Sequence, residues 1–376
     1  MMSKYFYIYS DCLPVKGYSR SIVYDLQKRK FIFIPNDLYD ITSIFNGKQV
    51  SEIYQSYSEK HHSVINSYLD FLNKNDLSYF SKNKLPFPKL DFSFDYPSFF
   101  TSSIYYLSNV SKKYFLNTVK YLDELNCKVM QIIVNKEFEL KNLKNILFLF
   151  WKTNFQTVNI IIDFSSVIDF KYLEKINTIY PFISLLSLFN VPENYNISLS
   201  QKFSNISFST EPNLEKHLFQ IREFNVNQEL FIEANCTNPY FYRKITIDKN
   251  GNIMNTIECD EIFGNIEKIK DTKDLLTIGN NNKFQKYWTT KKDLCDVCKD
   301  CEFRYMCIDS RIPIKRNENK YFFKEECNYN PYINKWQGTD GYIPVEVCGK
   351  YCEEIGFIPN KDKITILNKQ IWGEDE

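Results

Sequence analysis

Four cysteines constrain this chain more than any other feature: Cys298-x2-Cys301-x5-Cys307, followed by Cys327. A Cys-x2-Cys pair puts two thiols on one tight turn, and the two later cysteines close a four-sulfur set. Thiolate is a soft ligand that suits tetrahedral zinc or a cubane iron–sulfur cluster. Scattered buried thiols are the bland alternative, but they seldom fall at ligand spacing. The chain has 11 cysteines, clustered most densely between Cys259 and Cys327. In a reducing compartment such clustering favours metal ligands over disulfides. Cys295 lies three residues before Cys298 and reads as a neighbour, since a four-ligand shell has no place for it. Cys236 and Cys259 bracket a hairpin. They are either two ligands of a second, incomplete site or buried thiols near the first, and the residues leave both open. Cys348-x3-Cys352 has the spacing of one helical turn but no further ligand nearby.

Several function classes are excluded by what the rest of the chain lacks. Lys plus Arg is 47 and Asp plus Glu is 46, giving a net charge of +1 over 376 residues. Without a basic excess or stripe, no nucleic-acid partner is expected. No apolar run reaches the ~18 residues of a membrane span, so no membrane association is expected. The start, Met-Met-Ser-Lys-Tyr-Phe-Tyr-Ile-Tyr-Ser-Asp, has neither the apolar core nor the cleavage site of a signal peptide, which points to the cytoplasm. Only 10 glycines are present, and no phosphate-binding loop is among them, so the chain itself is not expected to bind ATP. His61-His62 and His217 have no cysteine-rich neighbours, and no catalytic motif of the Gly-x-Ser-x-Gly type occurs. No catalytic residue is assigned.

The periodicity predicts an α/β protein in parts. Tyr5 to Tyr9, Ile22 to Leu26 and Lys30 to Pro35 read as three strands. Three short helices follow, the first N-capped by Asn36 and the third carrying Tyr68, Leu69 and Leu72 on one face. Together they predict a winged-helix-like unit over residues 1–82. Residues 83–93 read as a linker. From 88 to 230, strands at Ser103–Leu107, Lys128–Val134, Val158–Phe164, Ile183–Leu188 and Ile206–Ser209 alternate with helices at Lys112–Leu125, Leu140–Lys152 and Phe170–Tyr180. Ser111 and Asp169 stand at N-cap positions. This alternation predicts a parallel sheet with right-handed crossovers, a partial (β/α) barrel. Asp248-Lys-Asn-Gly251 between alternating runs predicts a hairpin. It opens a cysteine-rich region over 231–337, with a short helix near Phe284 to Trp288. Residues 338–376 form a tail.

The cysteine pattern resembles the SPASM domain of radical S-adenosylmethionine peptide maturases. Cys236, Gly251 and Cys259 occupy its first part, with seven residues rather than four after the glycine. Cys298, Cys301, Cys307 and Cys327 match one complete auxiliary cluster, while the position of a further ligand falls on Arg311. Cys298-Lys-Asp-Cys-Glu-Phe-Arg-Tyr-Met-Cys307, with Glu326-Cys-Asn-Tyr-Asn-Pro-Tyr332, is similar to the peptide maturase of grasp-with-spasm systems. The resemblance implies a [4Fe-4S] cluster, with zinc as the alternative. It also implies two partners, an ATP-grasp ligase and a precursor peptide. The radical motif Cys-x3-Cys-x2-Cys is absent after Leu107, where the chain reads Ser-Asn-Val-Ser-Lys-Lys-Tyr-Phe. No Gly-Gly-Glu follows Val134. No S-adenosylmethionine is therefore expected.

The first unit resembles the PqqD-like leader-recognition domain. That likeness implies a leader strand beside Lys30, Phe31, Ile32, Phe33 and Ile34, packed on Tyr68 and Leu72. An exposed strand edge can pair with an extended peptide on physical grounds alone, although each of these side chains has a core role as its simpler reading. The function expected is an accessory maturase that binds the leader. The alternative is a redox or metal-dependent peptide-modifying enzyme.

Overall fold

The computed structural model describes residues 3–84, 88–93, 95–166, 170–193, 204–214, 224, 226–317 and 319–373. Asp169 and His217 lie outside them.

The N-terminal unit runs β1 (Tyr5–Ile8), β2 (Cys12–Val15), β3 (Ser21–Asp25), β4 (Lys30–Ile34), α1 (Asn36–Ile44), α2 (Val50–Ser56), α3 (His62–Lys74) and β5 (Ser78–Ser81). β2, β3 and β4 make an antiparallel sheet in that order, with β4 outermost. The strand expected at Tyr5–Tyr9 is β1, which pairs antiparallel with β5 rather than joining this sheet. The strands missed are β2 and β5. In β2, Pro14 masks the strand signal but is tolerated at a sheet edge, where no N–H is demanded. Asn36 does not cap α1. Its amide donates to Tyr18 O at 2.8 Å and its carbonyl accepts from Ser21 Oγ.

Side chains alternate along β4 as the pleat requires. Ile32 and Ile34 face the core with Leu38, Ile65 and Leu69. Phe31 and Phe33 both pack against Phe303, far along the chain. Leu72 is fully buried in that core. The PqqD-like likeness placed Leu72 on a leader-binding face; here the i, i+4 stripe of α3 closes the domain on itself and Leu72 is part of that core.

The second unit contains β6 (Ser102–Leu107), α4 (Lys112–Glu124), β7 (Val129–Val134), α5 (Leu143–Phe148), β8 (Thr157–Asp163), α6 (Phe170–Ile179), β9 (Ile183–Phe189) and β10 (Ile206–Phe208). All five strands pair parallel with their neighbours. Leu122, Leu147 and Leu173 from the helices cover one face of the sheet, with Tyr105, Ile132 and Ile160 beneath. Ile104, Ile133, Ile161 and Phe189 pack on the other. Burial on both faces explains the unbroken apolar strands. Ser111 stands at the N-cap position of α4 as expected, although its side chain makes no capping bond. Ser108 Oγ accepts from the Ser111 N–H at 3.1 Å, while Ser111 Oγ donates back to Tyr106 O.

After α7 (Gln228–Cys236) come β11 (Lys244–Ile247), β12 (Asn252–Met254) and β13 (Gly264–Asn265). The hairpin turns at Gly251, whose φ of +83° suits glycine. β11 lies parallel to β6, so the hairpin extends the large sheet to eight strands. The helix expected near Phe284 to Trp288 is a run of turns. The helix here is α8 (Thr272–Gly279), capped by Asp271, whose carboxylate accepts from the Lys273 and Asp274 N–H groups.

The remaining chain is mostly loop. Short antiparallel pairs link β14 (Ile314–Asn317) with β15 (Lys320–Phe322), β16 (Tyr329–Asn330) with β17 (Lys335–Trp336), and β18 (Gly349–Cys352) with β19 (Gly356–Pro359). α9 (Lys361–Trp372) ends the described chain. No helix among the described residues is long and apolar enough to cross a membrane.

Candidate metal centre

Cys298 opens a 3-10 turn, and the Cys301 N–H closes it onto Cys298 O at 3.0 Å. Val297 enters this turn with φ +64°. A β-branched residue takes that conformation only against a steric penalty, and such outliers gather where surrounding structure enforces a special geometry. Cys307 follows the turn through buried Phe303 and Met306. Cys327 arrives from the loop after β15. All four thiols are half-buried.

The four share one electrostatic neighbourhood. Cys298 and Cys307 each feel Cys327, and Cys301 feels both Cys298 and Cys307. Burial pushes every one of these thiols above its ordinary range, and Lys292 and Arg311 pull Cys298 and Cys327 back. A metal would have to displace those protons, so binding here is coupled to proton release. Four thiols of this kind are a fitting donor set for a soft metal or a cluster. A tetrahedral Zn–S shell at about 2.3 Å brings its sulfurs within about 4 Å of each other. Among the described residues no three His, Cys, Asp or Glu side chains converge in that way. A cubane binds each thiolate at a different corner and so holds them further apart. Beside Cys298 and Cys327 lies a cavity of about 380 Å³, also walled by Arg311, Arg316, Phe322, Phe323 and Tyr351.

The other cysteines stand apart. Cys295 is fully buried and its thiol donates to Lys291 O at 3.6 Å. Cys236 is exposed at the end of α7, where its thiol donates to Phe92 O. Cys259 is buried in the large core against Thr256 Oγ1. Each of this pair thus has its own separate partner. Cys348 ends a 3-10 turn and Cys352 ends β18, so the helical-turn spacing is not realised.

Charged groups that spacing rules missed surround the thiols. Lys292 Nζ and Arg311 Nη2 both lie 2.7 Å from Asp309 Oδ2. Lys292 and Asp309 are 2% and 3% exposed. Burial pushes the Asp309 carboxyl up, but the two cations outweigh it and hold the group well below the usual carboxylate range. The available signal was the Asp-x-Arg just after Cys307. A second buried carboxylate, Glu302, joins this region to the N-terminal unit. It is 0% exposed and accepts from Arg20 Nε at 2.9 Å and from the Tyr329 hydroxyl at 2.6 Å.

The residues expected at the leader edge lie beside this region. Lys30 is exposed, Phe31 and Ile32 are half-buried, and Ile34 is buried. Phe33 remains 39% exposed, with the Arg20 guanidinium 3.5 Å from its ring centre. Tyr68 is half-buried against the N-terminal core.

No family model and no curated protein matches the chain. Among solved structures it overlaps Streptococcus suis SuiB bound to S-adenosylmethionine, and the same protein bound to its precursor peptide SuiA. Each overlap has 13% identity and a TM-score of 0.29, over 80% of this chain and 94% of that one. Overlaps that loose carry no weight for function.

Proposed function

We propose that the chain is an accessory maturase for a ribosomally synthesised, post-translationally modified peptide. It holds the precursor's leader along β4 and acts beside an ATP-grasp ligase. Residues 1–82 form the recognition part, 88–230 a partial barrel without radical chemistry, and 231–337 the metal-bearing part, with 338–376 a tail. The observation that carries this reading is the position of β4. It is one of the two edge strands of its sheet, and its Phe33 is partly open to solvent while resting on Phe303, four residues before Cys307. An extended peptide can pair with such an edge through its main chain, and the aromatic face beside it selects side chains.

Cys298, Cys301, Cys307 and Cys327 would hold the centre, a [4Fe-4S] cluster or zinc. When bound, it supplies a fixed cross-link between loops that have little secondary structure of their own. Anaerobic visible absorption and metal analysis distinguish the two. The leader assignment is tested by fluorescence anisotropy with fluorescently labelled synthetic peptides of candidate precursor leaders. Phe33→Asp should weaken binding at least tenfold, and equal affinity would sink the reading.

A second reading, a redox or metal-dependent peptide-modifying enzyme, is favoured by the cavity beside Cys298 and Cys327. A mass change in the precursor with this protein alone, without the ligase, would select it.

A further inference from the structure

The side chains of β4 set which strand can lie beside it. β4 pairs with β3 alone, and among the described residues no other element hydrogen-bonds to its main chain. A strand laid along such an edge completes the ladder through main-chain groups, which carry no sequence preference. Selection falls to the side chains. Residues opposed across a ladder share a face of the sheet, and successive residues along a strand change face.

Lys30 and Phe33 are the two exposed residues of β4. They stand three apart and so lie on opposite faces. Phe33 shares its face with Phe31 and rests on Phe303. The Arg20 guanidinium over its ring is already held by Glu302, so this face offers mainly aromatic surface. Lys30 lies on the other face, where its partner in β3 is Asp25. Asp25 is buried and turned to Lys28, accepting from the Lys28 N–H at 2.8 Å and lying 3.6 Å from its Nζ. Lys30 is left without an ion pair among the described residues. Arg29 is exposed beside it in the turn. Asp37, in the first turn of α1, is the exposed acid beyond the other end of the strand. The edge therefore runs from basic at Lys30 to acidic past Ile34.

We propose that β4 selects an extended acidic–apolar peptide segment, with a carboxylate side chain opposite Lys30 and a large apolar side chain opposite Phe33. The two stand three residues apart in the segment, on opposite faces of the added strand. The proposal rests on the leader reading above and adds which residue types the leader carries and at what spacing. Opposite charges facing each other across a ladder attract and like charges repel. A lysine on an edge also deters indiscriminate pairing, but a lysine with that role alone would not choose between an acidic and a neutral partner.

The test measures fluorescence anisotropy of short labelled peptides with the full chain. Each has a threonine background. One pair carries glutamate and leucine three residues apart, in either order, to allow for both strand directions. The controls place the same two residues two apart, or replace glutamate by glutamine or by lysine. The better-bound member of the first pair should bind about fivefold tighter than each control. Lys30→Glu should reverse the charge preference, so that the lysine peptide binds better than the glutamate one. Lys30 is exposed, and circular dichroism checks that the variant folds. Equal affinity for all peptides, or an unchanged preference in folded Lys30→Glu, overturns this proposal and leaves the leader reading standing. If Lys30→Glu does not fold, Lys30→Gln decides: a retained preference for glutamate overturns the proposal and its loss supports it. No binding of any peptide overturns both readings. So does a dimer of the parent that Phe33→Asp splits, since a second copy then occupies the edge.

Discussion

At the scale of single residues, buried ionisable groups set the stability. Asp309 answers two buried cations, so Asp309→Asn strands both and should cost ~3–5 kcal/mol, read as a lower urea midpoint. Its carboxyl is depressed in the folded chain. The stability it contributes is therefore present above the ordinary carboxylate pKa and fades only in acid. Glu233 behaves oppositely. Burial lifts it from 4.5 to about 7, against the pull of Lys244. The unfolded chain releases that proton first, so stability should fall as pH rises from about 4.5 to about 7. Lys244 is lowered by burial from 10.5 to about 8. The unfolded chain holds its proton longer, so between about 8 and 10.5 stability should rise with pH. Thermal melts across pH check both slopes, and Glu233→Gln should flatten the first.

At the scale of elements, β4 and α3 have different jobs although both carry apolar stripes. Leu72 on α3 is wholly inside, so Leu72→Ala should cost ~2–5 kcal/mol of stability through the cavity left behind. Leader affinity of the folded fraction should be unchanged. Phe33 on β4 is partly open, so its replacement should act on binding first. Equilibrium unfolding beside anisotropy separates the two effects, and a Leu72 variant that folded normally but lost leader affinity would contradict the assignment. α4 gives a smaller check: Ser108→Ala removes the acceptor for the Ser111 N–H and should cost ~1 kcal/mol.

At the scale of the whole molecule, the N-terminal unit is bolted to the cysteine-rich region. Arg20 reaches Glu302 at 2.9 Å, Tyr24 donates to Glu302 O at 2.9 Å, and Phe303 packs under Phe31 and Phe33. Arg20→Ala leaves a fully buried carboxylate without its cation and should cost ~3 kcal/mol or more. The two regions should also unfold together in the parent and separate in the variant. Coincident transitions followed by near- and far-ultraviolet circular dichroism test this. Two distinct transitions in the parent would contradict it.

Much of this was legible along the chain, because local chemistry is written in local spacing. The alternation of strands and helices from Ser102 to Phe208, the Asp248–Gly251 turn and the Cys298–Cys301 pair all follow from periods of a few residues. Pro14 hid β2, because proline serves several backbone geometries. The sequence by itself determined the strand and helix alternation from Ser102 to Phe208 and which thiols are spaced as ligands. Only the tertiary structure decided that β1 pairs with β5, that β11 joins β6, that Leu72 lies inside, and that Lys292, Asp309 and Arg311 meet the cysteines. Those choices depend on which apolar faces and which charges find each other across long stretches of chain. Periodicity marks a face without naming the surface that covers it, and spacing names a ligand set without the charges that surround it.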